Sequence, residues 1–588
     1  MENRVCQNCK QDFMIQPEDF AFYERVSVPP PTFCPDCRLE RRYAWRNERA
    51  LYKAKCDKCM KDIFSAYVPE KKFPVYCHEC WYSDSWDPMS YGKDFDFSKP
   101  FFAQLGELLN TVPKINLFQL NAQNSPYSNI VMDAKNAYLS YSLTESENIF
   151  YSKNIDASRD LFDCLSIKSS EGCLETTLGN KNYNTVYSVL VQSCLNSSFL
   201  YDCTNTTDCF MSSNLRNMQY VFRNKQYTKE EYARVLADID TGSYEVLTSL
   251  LQEFREMRLR YPHKYAELTK TVNSTGDYLG VTRDAYRCFE AYDLENVRYT
   301  GRSFSMKDSM DVNNIPKGEL IYEYVSGGRN DHGLKFCMGS LGNLRDSEYS
   351  AWCSSSSNLF GCFGLKSKNY CIFNQQYSEE EYRILIPKIK QHMNEMPYLG
   401  RGGRVYQYGE FFPIELSPFP YNDTVAQEYF ALSKEDAETK GYSWREPDTR
   451  NVVINLKTEE LLDHIKDYRE DVLTKTIECL HEGTCREQCT GAFRLVPQEL
   501  ALYKKLNLPV PRLCPNCRHY ARLKWRNPWK LWKKRCTCQQ LGSQAPKYRN
   551  TVRHFHGNEP CPNEFETSYA PERQEIVYCE TCYQSEVV

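Results

Sequence analysis

The chain has 588 residues, 41% of them hydrophobic and 26% charged, with a net charge of −4. That length exceeds one ordinary core and the composition is globular, so three or four domains are expected and a disordered or fibrous chain is excluded. No apolar run approaches a membrane span and the first residues lack a signal-peptide pattern, so a cytoplasmic, reducing setting is expected, in which the 28 cysteines are metal ligands before they are disulfides.

The N-terminal region, 1–90, reads as a two-zinc treble-clef module. Cys6-x2-Cys9 is followed after 24 residues by Cys34-x2-Cys37, and Cys56-x2-Cys59 after 17 residues by Cys77-x2-Cys80. Two residues between thiolates let one tight turn offer both sulfurs to a tetrahedral ion, and a second such turn completes the shell. Four thiolates leave no position for water, so these zincs are expected to be structural, in modules too small to hold together by core alone. After the "CPDC" knuckle a helix is expected, with Leu39, Tyr43 and Leu51 inward and Arg38, Arg41, Arg42, Arg46 and Arg49 free outside.

Residues 91–130 form a linker ending in a short helix. Then apolar, tyrosine-rich runs begin at Ala137, Ile149, Leu161 and Cys173, spaced 12 residues apart. Alternating short strands divided by Asn, Asp, Ser and Gly predict a β-solenoid-like block over 131–272 and a second over 273–400. "LRNMQYVFRNKQYTKEEY" from Leu215 recurs as "LKSKNYCIFNQQYSEEEY" from Leu365, at an offset of 150. Each copy ends in a capping box, Thr228-x-x-Glu231 and Ser378-x-x-Glu381, so a helix should close each block, the first continuing in charged helical sequence to about Val272. Cys164, Cys173, Cys194, Cys203, Cys209, Cys288, Cys337, Cys353, Cys362 and Cys371 lack paired spacing and are read as small core residues. Residues 401–475 are a proline-bearing connection with helices, including a stretch at about 415–448.

The last segment, 476–588, repeats the first plan. Cys485-x3-Cys489 precedes Cys514-x2-Cys517 by 24 residues, and Cys536 stands to Cys514 as Cys56 does to Cys34. "VYCETC", with Cys579 and Cys582, matches "VYCHEC" with Cys77 and Cys80. The copy departs in having Cys536-x-Cys538 and an insertion bearing Cys561, His554 and His556, which leaves its last ligand set open; Cys479 and His481 are alternatives at the first site. About four Zn2+ ions per chain are expected. The whole reads as a multidomain α+β protein with duplicated zinc modules flanking strand-rich repeats.

Charge is polarised. The window Lys504–Arg535 holds 11 basic and no acidic residues. Arg518, Arg522, Lys524, Arg526, Lys530, Lys533 and Lys534, interleaved with Trp525 and Trp529, suit phosphates and stacked bases; Arg38, Arg42 and Arg46 are their N-terminal counterparts. With these knuckles, the "RNER" helix, "FNQQYSEEEY" and "CPNEFETSYAPERQEIVYCETCYQSEV" in view, the chain resembles, over nearly its whole length, a family of treble-clef zinc-finger proteins with a central repeat region from uncultivated small-genome bacteria. The resemblance implies the architecture and carries no catalytic residue. The function expected first is non-enzymatic nucleic-acid binding through 518–535, RNA or single strands before duplex DNA, with no membrane partner. A zinc-dependent protein-interaction scaffold is the alternative. A treble-clef nuclease would need a better motif than "RHFHGN", and glycan processing would need a carboxylate cluster on one repeat face.

Overall fold

The computed structural model describes residues 1–314, 317–446, 452–539 and 548–588. It is mixed α and β, strand-rich in the middle, with cysteine clusters at both ends. No helix among the described residues is long and apolar enough to cross a membrane. The last two residues of the connection read at 415–448 lie outside the described residues; within it runs the helix Lys434–Thr439.

The middle of the chain winds in coils. Strands Asn129–Met132, Tyr141–Thr144, Lys153–Asp156 and Leu165–Lys168 pair in parallel, Tyr141 with Lys153 and Lys153 with Leu165. Lys135–Tyr138, Glu147–Phe150 and Arg159–Phe162 stack the same way on a second face. The 12-residue spacing read from the sequence is therefore the length of one coil.

Strict alternation does not build these coils. The backbone is left-handed at every third residue: φ lies between 44° and 57° at Asp133, Asn136, Leu139, Ser142, Glu145 and Asn148. Asn and Asp tolerate this region best, which explains their frequency here. Each such residue resets the alternation, so one side chain in three points inward: Val131, Ala134, Ala137, Ser140, Leu143, Ser146, Ile149 and Ser152 are all buried. Serine is used as a bracket between coils. Ser140 Oγ accepts the Ser152 N–H at 3.1 Å, and Ser152 Oγ accepts the Cys164 N–H at 2.9 Å. Backbone donors without a strand partner are satisfied in this way. All ten repeat cysteines are buried, and burial pushes Cys173 and Cys209 up to about 11, so these thiols are inert filling.

A second stack follows from Leu268, through Gly276–Arg283, Cys288–Arg298 and Phe304–Met310. Two of its coils are one residue longer, pairing Gly318 with Asp331 and His332 with Arg345. Both stacks close alike, with a hairpin and then a helix, Lys229–Ala237 or Glu379–Glu395. Both capping boxes form: Thr228 Oγ1 accepts the Glu231 N–H at 3.2 Å, and Ser378 Oγ accepts that of Glu381 at 3.2 Å. The helical reading to Val272 fails at the proline. Helix Tyr244–Arg260 stops before Pro262; Pro262–Lys264 pairs instead with Ile576–Tyr578, and Leu268–Val272 opens the second stack.

Each end module has two halves. At the N-terminus these are the hairpin Glu2–Val5/Asp12–Ile15 with helices Pro17–Arg25 and Pro35–Tyr43, then the hairpin Tyr52–Lys55/Asp62–Ser65 with helix His78–Tyr82. The C-terminal counterparts are Ile477–Glu478/Ala492–Phe493, Pro497–Leu506 and Pro515–Leu523, then Trp532–Arg535/Glu564–Thr567 and Glu580–Val587. The basic helices are shorter than expected. Asn47 closes a turn by accepting the Ala50 N–H at 3.0 Å, Pro528 interrupts the other copy, and a strand follows in both. The first half of each module shares its core with the stack more distant in sequence. Phe22 and Tyr23 join Tyr322 and Phe336 of the second stack, while Leu500 and Tyr503 join Phe150 and Phe162 of the first.

Replacing Ser152 by Ala should leave the buried Cys164 amide unpaired and cost about 1–3 kcal/mol, read as a lowered urea midpoint with an unchanged slope.

Candidate metal centres and arginine clamps

Cys6, Cys9, Cys34 and Cys37 form one group whose sulfurs lie within 4.8 Å of one another, and Cys56, Cys59, Cys77 and Cys80 form a second. Cys9 and Cys34, and Cys59 and Cys77, are each 3.8 Å apart. A tetrahedral ion with metal–sulfur bonds of about 2.3 Å sets its ligands about 3.8 Å apart. A disulfide would need about 2.05 Å. The spacing is therefore that of a metal shell, and both N-terminal ligand sets read from the sequence come together.

The knuckles share an internal marker. The first sulfur of each group accepts the backbone N–H of the third cysteine: Cys6 from Cys34 at 3.3 Å and Cys56 from Cys77 at 3.2 Å. At the C-terminus the same bond joins Cys479 to Cys514 and Cys536 to Cys579, each at 3.2 Å. Cys479, not Cys485, is thus the counterpart of Cys6, and the third group is Cys479, Cys489, Cys514 and Cys517. Cys485 sits on the loop inserted between the two strands, with its sulfur 3.7 Å from that of Cys517. The matching 24-residue gap fixes only the second and third ligands; at the first, Cys479 shares the bond that Cys6 makes, while Cys485 stays beside the same sulfurs. The fourth group is Cys536, Cys561, Cys579 and Cys582; Cys538 lies instead with His554, His556 and Cys582.

The arginines beside these knuckles face inward. Arg38 Nε donates to Asp311 at 2.6 Å, and Arg41 donates to Glu323 at 2.7 Å and Glu410 at 2.9 Å. Arg42 lies 3.3 Å from Asp311. In the other copy Arg518 donates to Glu499 at 2.8 Å and lies 3.3 Å from Asp163, while Arg522 donates to Asp163 at 2.8 Å and to Glu175 at 2.9 Å. Asp163 and Glu175 belong to the first stack, Asp311 and Glu323 to the second, so each end module is bolted across the chain. Further along, Arg46 pairs with Glu48 at 2.6 Å and donates to Ser142 at 3.0 Å; Arg526 donates to Glu290 at 3.0 Å. Although burial raises it, Arg46 and Lys153 hold the Glu48 carboxyl down at about 2.

These contacts correct the outward reading of the basic face. Arg38, Arg42, Arg46, Arg518, Arg522 and Arg526 are buried and ion-paired, hence closed to a phosphate backbone. Trp529 is buried and donates to Glu290 at 3.2 Å, and Trp525 packs half-buried against Phe254. Lys534 reaches the Ala570 carbonyl. Lys524, paired with Glu487, and Lys530 and Lys533 remain exposed. Apart from Glu48, Glu487 and Glu499, the acidic partners lie 236 or more residues away in sequence, beyond any search for local compensation. A signal existed in the repeats: Asp163 to Asp311 and Glu175 to Glu323 are equal shifts.

A groove of about 580 Å³ runs between the two stacks, with Ile155, Ile167, Tyr292 and Phe304 among its lining and Arg302 at one wall. Asn154, also in its lining, is buried with neither amide atom hydrogen-bonded among the described residues.

No family model and no curated protein matches the chain. Among solved structures it is similar to a crystal structure described as a "putative acetyltransferase from Desulfovibrio desulfuricans G20", at 9% identity over 45% of this chain and 68% of that one, with a TM-score of 0.10. A score that low carries no argument about fold or activity.

Two outcomes are expected. Cys479→Ser should lose one equivalent of bound metal, whereas Cys485→Ser should keep the full complement, as counted by elemental analysis of the purified chain. The second concerns Glu175. Burial first, and then Asp163, push its carboxyl up to about 7 against the pull of Arg522. Its folded pKa lies above the unfolded value near 4.3, so stability is highest below that value and falls as pH rises through about 7. Glu175→Gln should flatten that fall in urea midpoints taken from about pH 5 to pH 8.

Proposed function

We propose that the chain is a non-enzymatic scaffold: two β-solenoids held as one body by treble-clef zinc modules at both ends, with a protein partner as its ligand class. The observation that carries this reading is the internal use of the basic helices. Arginines that would have gripped phosphates are consumed in buried pairs with carboxylates of the solenoids, so their work is assembly. What the body then offers outward is its polar coil faces and the groove between the stacks. That groove is lined by Ile155, Ile167, Tyr292 and Phe304, an apolar surface with Arg302 at one wall.

Nucleic-acid binding, first on the sequence, would now rest mainly on Lys524, Lys530 and Lys533. Three phosphate contacts give a logarithmic salt slope of only about −2 on a single strand. The deciding experiment titrates metal-loaded protein with mixed RNA, single-stranded DNA and duplex DNA across a salt series, beside a Lys530→Ala/Lys533→Ala variant. The scaffold reading expects weak binding with a shallow slope, or none. Tight, steeply salt-dependent binding that the variant loses would overturn it in favour of RNA or single strands.

A further inference from the structure

We propose that the C-terminal insertion builds a fifth metal site, with Cys582 bridging two ions. Cys536, Cys561, Cys579 and Cys582 complete one four-ligand shell, and Cys538, His554, His556 and Cys582 complete another. In the second set the His556 Nε2 lies 3.3 Å from Cys538 Sγ and 3.5 Å from Cys582 Sγ. For metal–nitrogen and metal–sulfur bonds of about 2.0 and 2.3 Å, a tetrahedral shell sets such atoms about 3.5 Å apart.

The histidines are oriented as ligands. His556 uses Nδ1 on the Glu559 carbonyl at 2.6 Å, which fixes Nε2 as the nitrogen facing the sulfurs. His554 uses Nε2 on the Glu586 carboxylate at 3.1 Å. That leaves its Nδ1 to the cluster, buried and with no hydrogen-bond partner among the described residues. A carboxylate or carbonyl behind each ring is the outer shell that metal-bound imidazoles carry. A buried ring nitrogen without a partner is costly unless something accepts its lone pair, and an ion does so.

The N-terminal copy has nothing equivalent, since Cys56 and Cys59 are joined by a two-residue turn. The fifth ion therefore serves the insertion itself, tying Cys538 and residues 548–561 to the closing helix Glu580–Val587 through Cys582 and Glu586. Binding is a ligand exchange: the Cys538 and Cys582 thiols yield protons to solvent as their sulfurs take the metal, and no redox partner is required.

The test is metal stoichiometry on the full chain, by elemental analysis and native mass spectrometry, with cobalt(II) reconstitution as a second readout. Five ions are expected in the wild type. Four are expected in His556→Ala and in Cys538→Ser, with circular dichroism unchanged and the cobalt ligand-field band of a mixed nitrogen–sulfur site lost. Four ions in the wild type, with the histidine variant either still at four or falling to three, would overturn the bridged pair. The first result would leave the cysteine set alone, and the second would mean one ion held by the histidine set. Should His556→Ala misfold, His554→Gln read by the same cobalt band keeps the question decidable.

Discussion

A buried guanidinium cannot be left alone, and the architecture follows from that constraint. Arg38, Arg41 and Arg42 lie side by side in the interior, as do Arg518 and Arg522, and taking any of them out of water costs several kcal/mol unless a carboxylate meets it. Four of the carboxylates that do so, Asp163, Glu175, Asp311 and Glu323, stand on the coils, so the end modules are located by charge as well as by apolar contact. Removing one partner of such a pair costs on the order of 3–5 kcal/mol, because the other is left buried and uncompensated. A pair of this kind adds little net stability, but it penalises every other docking of module on coil. Specificity of assembly is what the clamps supply.

The two clamps are copies that have drifted. Where the N-terminal helix carries Arg41 between Glu323 and Glu410, the C-terminal helix carries Ala521 at the matching place. Three arginines there face three carboxylates, whereas Arg518 and Arg522 face Asp163, Glu175 and Glu499. Burial pushes Glu175 towards neutrality first, and the neighbouring Asp163 adds to it. The stacks drifted too: the clamp residues correspond at a shift of 148, from Asp163 to Asp311, and the closing motifs at 150, from Leu215 to Leu365. The two coils lengthened by one residue, near Gly318 and His332, account for the difference.

Much of this was legible in the sequence, and the failures share a cause. Cysteine spacing, the 12-residue run and the capping boxes are local patterns whose chemistry acts within a coil or a turn, and each appears in the structure. The three-residue period escaped because a left-handed corner has no reliable letter: Asn and Asp suggest it, but Leu139, Ser142 and Glu145 occupy it equally well once neighbouring coils hold them. Cys479 stood only as an alternative to Cys485, because an inserted loop moves it out of the two-residue spacing. The arginines were misread for the deepest reason. Whether a basic face meets solvent or a carboxylate from a distant segment is decided by tertiary packing, which no window of sequence contains.

Metal and clamp are one mechanism. Arg38 follows Cys37 directly and Arg518 follows Cys517, so the ligands that would fix the helix start also fix the direction of the first guanidinium. A thiolate shell orders a turn that a module this small could not order by burial, and the ordered turn aims the arginines at positions already set by the stack. In the reverse direction, coils carrying buried acids are relieved only when a correctly folded knuckle presents its helix. Each module would thus be incomplete without an ion in its cysteine shell, as each stack is without its module. A chain of nearly 600 residues can in this way behave as one body, although no single core runs through it.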